Sequence, residues 1–378
     1  MELGSHFEDV SFFEKNLTWS KHLLKLLQKK SADIRKRATL NIDENKEIEK
    51  EQESFVVDCF RPEDADGIVD LFRSVYGEHY PVRLFYDPAS IRAANQEGSC
   101  HSICARSASG KIIGVQHLYL SAPCKFLYET GAGLILKEYR NSGANRRLLD
   151  FLYNDFTPRN THIEELFGEA VCNHPYMQKT VLAFNFVETA IEIALMPAEA
   201  YSKEKSAAGR VATVNCSRCY KPKPHRIFLP PVYELELQKI YGRLGDTRDM
   251  VMSVEDIPRG KATDADLTLF EFARVARIFV NDIGGDFRCR LFALESEALA
   301  KNTLVFQVWL KLTDPSVGKV VDILREDGYF FGGPVPRWFD GDALLMQKLL
   351  CPPDFESIVL SSDVAKELLK FIRGDCEK

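Results

Sequence analysis

KEYRNSGANRRLLDFL, residues 137–152, joins two segments of different periodicity. Before it, Gly131-Ala132-Gly133-Leu134-Ile135-Leu136 is a short continuous apolar run, which predicts an interior strand. After it, Leu148, Leu149, Phe151 and Leu152 recur at helical spacing. The stretch is then a strand-to-helix turn carrying Arg140, Gly143, Arg146 and Arg147. Such a turn aims free backbone N–H groups at whatever lies above the helix N-terminus, and the helix dipole favours an anion there. Spacing alone fits an ordinary turn with a solvated basic patch equally well.

Upstream, Phe55-Val56-Val57-Asp58-Cys59-Phe60 reads as a strand. Arg61-Pro62-Glu63-Asp64 opens a helix with Ile68, Leu71, Phe72 and Val75 on its face, since Pro and acidic residues suit a first turn. A second helix is predicted near 88–95. Strands near 101–107 and 111–120 flank Ser109-Gly110, and another near 128–138 runs into the opening stretch. Downstream come a strand near 164–172, a helix at 175–184 and a strand from Phe186 to Leu195. Antiparallel strands thus come first and helical crossovers later. This is a mixed α/β fold, a mixed antiparallel and parallel sheet flanked by helices. A doubly wound nucleotide fold would alternate throughout.

The small, polar stretch from Pro197 to Ala207 predicts a domain boundary at residue 200. The second half is expected to start with a strand near 209–215, then a helix from Pro231 with Tyr233, Leu235, Leu237 and Tyr241. Strands near 270–280 and 285–293 follow, then a strand over Leu304–Leu310. Asp314-Pro315 starts a helix carrying Val317, Val320, Val321 and Leu324, and Tyr329–Gly333 is a strand. Strand, helix and aromatic strand recur in Asn173–Phe186 and Thr313–Tyr329, the pattern of an internal duplication. The expected organisation is an N-terminal helical extension and charged linker (1–53) and tandem domains at 54–200 and 201–378.

In the extension, Phe13, Leu17, Leu24 and Leu27 share one helical face, and Lys21, Lys25, Lys29 and Lys30 the other. Such a helix docks onto its own domain, onto a partner or onto a membrane surface. A net charge of -6 over 378 residues gives no bulk attraction to nucleic acid. No apolar run is long enough to span a bilayer. The start lacks a basic segment followed by an apolar block, and the ten cysteines read as reduced thiols, so a cytoplasmic chain is expected. Cys216-Ser217-Arg218-Cys219 with His225 is a lone CxxC. Zinc sites use a second pair or a His pair, so no metal is expected.

Residues 55–197 resemble the GNAT superfamily of acyl-coenzyme A-dependent N-acetyltransferases. The family's core motif is Arg or Gln, two residues, Gly, one residue, then Gly or Ala, on a strand–turn–helix. It reads here Arg140-Asn141-Ser142-Gly143-Ala144-Asn145. Asn173 with the 175–186 segment looks like the closing motif, and Arg61-Pro62-Glu63-Asp64-Ala65 opens the first helix in a manner common in that family. Asn145 departs from the preferred Gly or Ala, and Asn185-Phe186 replaces Gly-Phe.

The resemblance implies acetyl-coenzyme A as co-substrate and an unidentified amine as acceptor, by direct attack on the thioester. The pyrophosphate would lie on backbone N–H groups of Asn141, Ser142, Gly143, Ala144, Asn145 and Arg146, beside Arg140. Pantetheine would lie along Leu134, Ile135 and Leu136, near Asn173, in a gap opened by a bulge at Gly131 or Gly133. Glu129, eleven residues before Arg140, is the implied base, with Glu169 second. A backbone N–H of 133–136 would meet the oxyanion. The family's usual acid, a helix tyrosine, is replaced by Val181, with Tyr176 earlier on the same helix as substitute. Residues 201–378 resemble a degenerate copy, whose corresponding turn is expected near 312–319, without the Arg-x-x-Gly pattern. Phe330, Phe331, Trp338 and Phe339 there form either inter-domain core or a wall of the substrate site. Asn145 and Val181 fit a non-catalytic acyl-coenzyme A sensor; Glu129 with Arg140 and Gly143 fits an enzyme, the reading preferred.

Overall fold

Ten elements follow the expected order in the first half: β1 (Phe55–Cys59), α1 (Asp64–Tyr76), α2 (Pro88–Glu97), β2 (Cys100–Ser107), β3 (Ile112–Tyr119), β4 (Leu127–Ile135), α3 (Ala144–Asp150), β5 (Glu165–Val171), α4 (Tyr176–Ala183) and β6 (Val187–Pro197). The computed structural model describes residues 54–78, 80, 82–197 and 209–378, so the expected N-terminal helix and charged linker lie outside the described residues. Local chemistry explains the boundaries. At α2, the Asp87 carboxylate accepts the N–H groups of Ala89 and Ser90, Pro88 fills the first turn, and Gly98 ends the helix at φ 76. α3 runs on through a π turn (Phe151–Phe156) to Arg159. α1 and α2 bury Ile68, Leu71, Phe72 and Ile91 against one sheet face. α3 and α4 bury Leu148, Leu149, Leu152 and Val181 against the other.

The strand expected to open the second half is instead β7 (Arg210–Cys219), inserted between β5 and β6 and antiparallel to both. The first sheet therefore has seven strands, in the order β1-β2-β3-β4-β5-β7-β6, and continues past the boundary expected at residue 200. The polar stretch that suggested a boundary connects two neighbours of one sheet. β7 is buried from Val211 to Ser217, a run of small and apolar residues broken by Asn215, whose amide finds a partner in Glu192.

Beyond it, β8 (His225–Leu229) and β9 (Arg248–Met252) pair in parallel around α5 (Glu234–Tyr241). A five-stranded sheet follows, built from β10 (Asp264–Phe270), β11 (Val275–Asp282), β12 (Val305–Lys311), β13 (Phe330–Val335) and β14 (Ala343–Leu349). α6 (Phe287–Leu299) precedes β12, α7 (Val317–Glu326) follows it, and α8 (Asp363–Cys376) closes the chain. The strand predicted at 285–293 is thus the helix α6. Phe287-Arg-Cys-Arg-Leu-Phe alternates like a strand, but the buried residues are Phe287, Leu291, Leu294 and Ala298, at helical spacing, while Phe292 is 70% exposed.

The order β10-β11-β12-β14-β13 repeats the last five strands of the first sheet, β3-β4-β5-β7-β6. The senses repeat too: antiparallel, parallel, antiparallel, antiparallel. α6 and α7 take the places of α3 and α4 in the connections.

The two sheets meet at β6 and β13 within one compact unit, Phe55–Lys378. Gln347 on β14 donates to Ile191 O (2.8 Å) and accepts the Ile193 N–H (2.9 Å), pairing a side chain with β6 as a strand would. Trp309 and Trp338 stack at 4.1 Å, and Phe167 meets Trp338 edge-on at 5.3 Å. Trp338, Phe330 and Phe331 are therefore core, and Phe339 packs at its margin. Gly333 sits at φ 122 with its Cα against the β6 backbone; a Cβ there would overlap Thr189 O and Ala190. Gly333→Ala is expected to cost roughly 1–3 kcal/mol of stability, and an unchanged melting temperature would refute this close approach. Among the described residues no helix is long and apolar enough to cross a membrane.

Candidate active site

β4 and β5 pair in parallel at only three positions, Leu127 with Glu165, Tyr128 with Leu166 and Glu129 with Phe167. Beyond Glu129 the two strands separate. β4 continues along β3, and β5 along β7, leaving two edges that face each other without a ladder. The cause is a bulge in β4: the β3–β4 register shifts between Val115 and His117, and Ala132 takes φ 53. Gln116 braces the bulge by donating to Gly131 O and Thr130 Oγ1, both at 3.3 Å. A Cβ at Gly133 would overlap the Gln116 amide, so a larger residue there would push this brace aside. Leu134 and Ile135 pair with Val115 and Gly114, and the Leu136 N–H reaches Ile113 O.

At the far end of β4 the opening stretch forms a one-turn 3-10 helix, Lys137–Tyr139, and then two left-handed residues, Asn141 (φ 71) and Gly143 (φ 81). The Ser142 N–H goes to Tyr139 O and the Ala144 N–H to Ser142 Oγ. The N–H groups of Asn141, Gly143, Asn145 and Arg146 have no acceptor among the described residues. Arg140 is exposed, and the Arg146 guanidinium lies 5.2 Å from the Phe184 ring. Arg147 is turned to β1, over Phe55 at 4.4 Å and donating to Phe55 O. Asn145 is helical and asks nothing unusual of an asparagine. Asn185, by contrast, sits at φ 62 just after α4, a conformation that asparagine tolerates better than most residues.

Glu129, at the point where the strands part, accepts the Tyr119 hydroxyl at 2.5 Å from its cross-strand partner on β3. Burial raises its pKa; hydrogen bonds from Ser121 and Tyr119 and the charge of Arg277 offset this in part. Glu169 lies two residues beyond the last β4–β5 pair, ion-paired to Arg277 Nη2 at 3.2 Å. Burial and the neighbouring Glu192 charge hold its carboxyl well above the usual range. Glu192 on β6 is fully buried and accepts three donors: Arg277 Nη2 (2.9 Å), Gln307 Nε2 (2.6 Å) and Asn215 Nδ2 (2.6 Å). Arg277 comes from β11 in the second sheet. Its Nε donates to Gln307 Oε1 at 2.7 Å, and its guanidinium lies 5.2 Å from the Phe270 ring and 5.5 Å from that of Trp309. Two carboxylates therefore share one guanidinium, whose charge also acts on Glu129, an arrangement that holds a proton readily and attracts a cation.

No protein-family model matches the chain, and no curated protein does. Among solved structures, an N-acetyltransferase from Staphylococcus aureus Mu50 is 12% identical over 44% of this chain and 99% of its own, at TM-score 0.36. The ribosomal-protein-S5-alanine acetyltransferase from Vibrio fischeri is 15% identical over 47% and 100%, at 0.36. The spermidine/spermine N-acetyltransferase from Vibrio cholerae is 14% identical over 44% and 92%, at 0.35.

In the first half, Tyr176 is the first residue of α4 and is 73% exposed beside His174, apart from the carboxylates. Val181 is buried, and half-buried Asn173 follows β5. The second sheet's counterpart of the 137–146 turn is not at 312–319, which joins β12 to α7 and so matches the β5–α4 connection. The counterpart is the β11–α6 link, Ile283-Gly284-Gly285-Asp286. There the Gly284 N–H goes to Thr263 Oγ1 and the Gly285 N–H to Lys261 O, while Asp286 accepts the Thr263 N–H. The chain's own segment 261–263 thus occupies the space above that turn. Glu192, Arg277, Asn215 and Gln307 escaped the sequence reading. Their one signal is a charged or amide side chain inside an otherwise apolar strand.

Proposed function

We propose that the chain is an N-acetyltransferase that moves an acetyl group from acetyl-coenzyme A to an amine. The observation that carries this reading is the parting of β4 from β5 at Glu129, with an anion-facing turn at the other end of β4. The pyrophosphate is assigned to the N–H groups of Asn141, Gly143, Asn145 and Arg146, flanked by the Arg140 and Arg146 side chains. Space supports this: a Cβ on Gly143 would meet nothing within 4 Å. Pantetheine is assigned to the two unpaired edges, along Leu134, Ile135 and Leu136 on one side and toward Asn173 on the other.

A lysine-like amine has a pKa near 10.4, so reaching the neutral nucleophile at pH 7 costs roughly 4–5 kcal/mol. Glu129 takes the proton, the N–C bond forms, the C–S bond breaks and the thiolate leaves to be protonated. A backbone N–H of 133–136 stabilises the oxyanion. A second reading, an acyl-coenzyme A sensor without turnover, is favoured by the position of Tyr176, which leaves no hydroxyl of α4 at the carboxylates. Thiol release from acetyl-coenzyme A against a panel of amines and peptides separates the two; no turnover with any acceptor, in a protein that binds coenzyme A, supports the sensor.

The second half is read as a copy whose turn is filled by residues 261–263. The full chain is then expected to bind one coenzyme A, not two. Gly143→Val forces a β-branched residue into a left-handed position and is expected to weaken that binding about tenfold or more. Calorimetric titration checks both; unchanged affinity in a folded variant would remove the turn from the site.

A further inference from the structure

β5 turns Glu165, Phe167 and Glu169 toward the second sheet. Phe167 belongs to the aromatic layer and Glu169 to the candidate active site. Glu165, at the other end, is only 2% exposed, and its Oε2 has no hydrogen-bond partner among the described residues. Its register partner on β7 is Cys219. The Cys219 thiol donates to Asp246 Oδ1 at 3.0 Å, and Asp246 Oδ2, also buried, has no hydrogen-bond partner. One ligand atom from each of Glu165, Cys219 and Asp246 lies within 4.8 Å of the other two. A buried, unpartnered Glu165 oxygen, beside a thiol and an Asp246 oxygen whose nearest cation is 3.9 Å away, is a costly arrangement unless a ligand completes it.

We propose that Glu165, Cys219 and Asp246 form a divalent-metal site that takes zinc, with one position left for water. One sulfur and two oxygen donors suit zinc better than calcium or magnesium, which take oxygen alone. Donors around one zinc ion stand about 3–4 Å apart, so the set closes on an ion with side-chain movements on the order of an ångström. The nearby cations are held mainly by another carboxylate: Asp342 holds Arg248 Nε at 2.5 Å and faces His225 at 3.2 Å. Arg248 Nη2 is the cation that faces Asp246, at 3.9 Å. Binding turns the Cys219 thiol into a thiolate and releases its proton to solvent. The lone CxxC contributes only its second cysteine. Cys216 points into the other face of the sheet and donates to Val214 O. The ion would tie β5 and β7 to the segment before β9, separated from the acetyl-transfer site by Phe167.

The test uses the full chain, reduced and freed of metal by chelation. Zinc ion is titrated in competition with a chromophoric chelator, and cobalt(II) is added separately to read the thiolate-to-cobalt band in the near ultraviolet. One equivalent of each is expected to bind. Cys219→Ser is expected to abolish the cobalt band, and both it and Asp246→Asn to weaken zinc by roughly 10–100-fold or more. Cys216→Ser is expected to change neither. The proposal is overturned if no stoichiometric zinc binds, or if the band survives in Cys219→Ser. Zinc affinity unchanged in Asp246→Asn overturns it as well, which keeps it falsifiable should Cys219→Ser fail to fold.

Discussion

Glu129→Gln is expected to lower kcat/KM for an amine acceptor by about 10²–10⁴-fold near neutral pH. The amide keeps the shape of the carboxylate and can still accept the Tyr119 hydroxyl, but it cannot take the proton of the incoming amine. Coenzyme A affinity is expected to stay put, because Glu129 and the turn lie at opposite ends of β4. Burial raises the Glu129 pKa, so wild-type activity should climb as pH rises through that raised value, and the variant should lose this limb. The deficit should shrink at higher pH, where more of the acceptor is already neutral. Stability runs the other way. A carboxyl with a raised folded pKa contributes stability that is present below its unfolded value and lost as pH rises through the folded one. The variant should therefore melt no lower than wild type above neutral pH. Wild-type turnover at pH 7 would remove Glu129 and transfer the role to Glu169; an equal loss at every pH would mark Glu129 as structural.

Arg277→Met should be the most destabilising single change in the site, by about 3–5 kcal/mol at neutral pH. It leaves Glu169 and Glu192 buried without the guanidinium they share. The deficit should narrow at pH 5, where protonated carboxyls need no counter-charge, and widen toward pH 8. Without Arg277 the Glu129 and Glu169 pKa values rise further, so the activity limb should move to higher pH. Arg277→Lys restores the charge but not the fork that reaches Glu169, Glu192 and Gln307, and is expected to recover only part of the melting temperature. Equal melting of Arg277→Met and wild type at pH 8 would show that the buried carboxylates do not depend on the guanidinium.

The strand–turn–helix at 131–152 was legible because a continuous apolar run gives way to helical spacing across a glycine, and local chemistry decides both ends. Residue 132 shows the limit of such reading: the resemblance implied a bulge at Gly131 or Gly133, yet the left-handed residue is the alanine between them. β7 was misplaced because composition marks a polar stretch and says nothing about which strand returns beside which. α6 was misread because Phe287-Arg-Cys-Arg-Leu-Phe satisfies a two-residue period over too short a window, and the longer run to Ala298 decides for a helix. Arg277 and Glu192 went unread, their one signal being a charge in an apolar strand. That they meet is a property of how two sheets stack, which no local pattern encodes.

The origin of Arg277 in the second sheet also has a consequence for the order of synthesis. The whole 137–146 turn, the parting of β4 and β5 and all three glutamates leave the ribosome before residue 277 exists. Until β11 arrives, Glu169 and Glu192 have no counter-charge from the later chain, so they stay hydrated and the face that holds them stays open. The nascent first half thus carries every residue assigned to the chemistry and still lacks the site. Competence would come late and at once, when one arginine and its neighbouring glutamine close over the carboxylates.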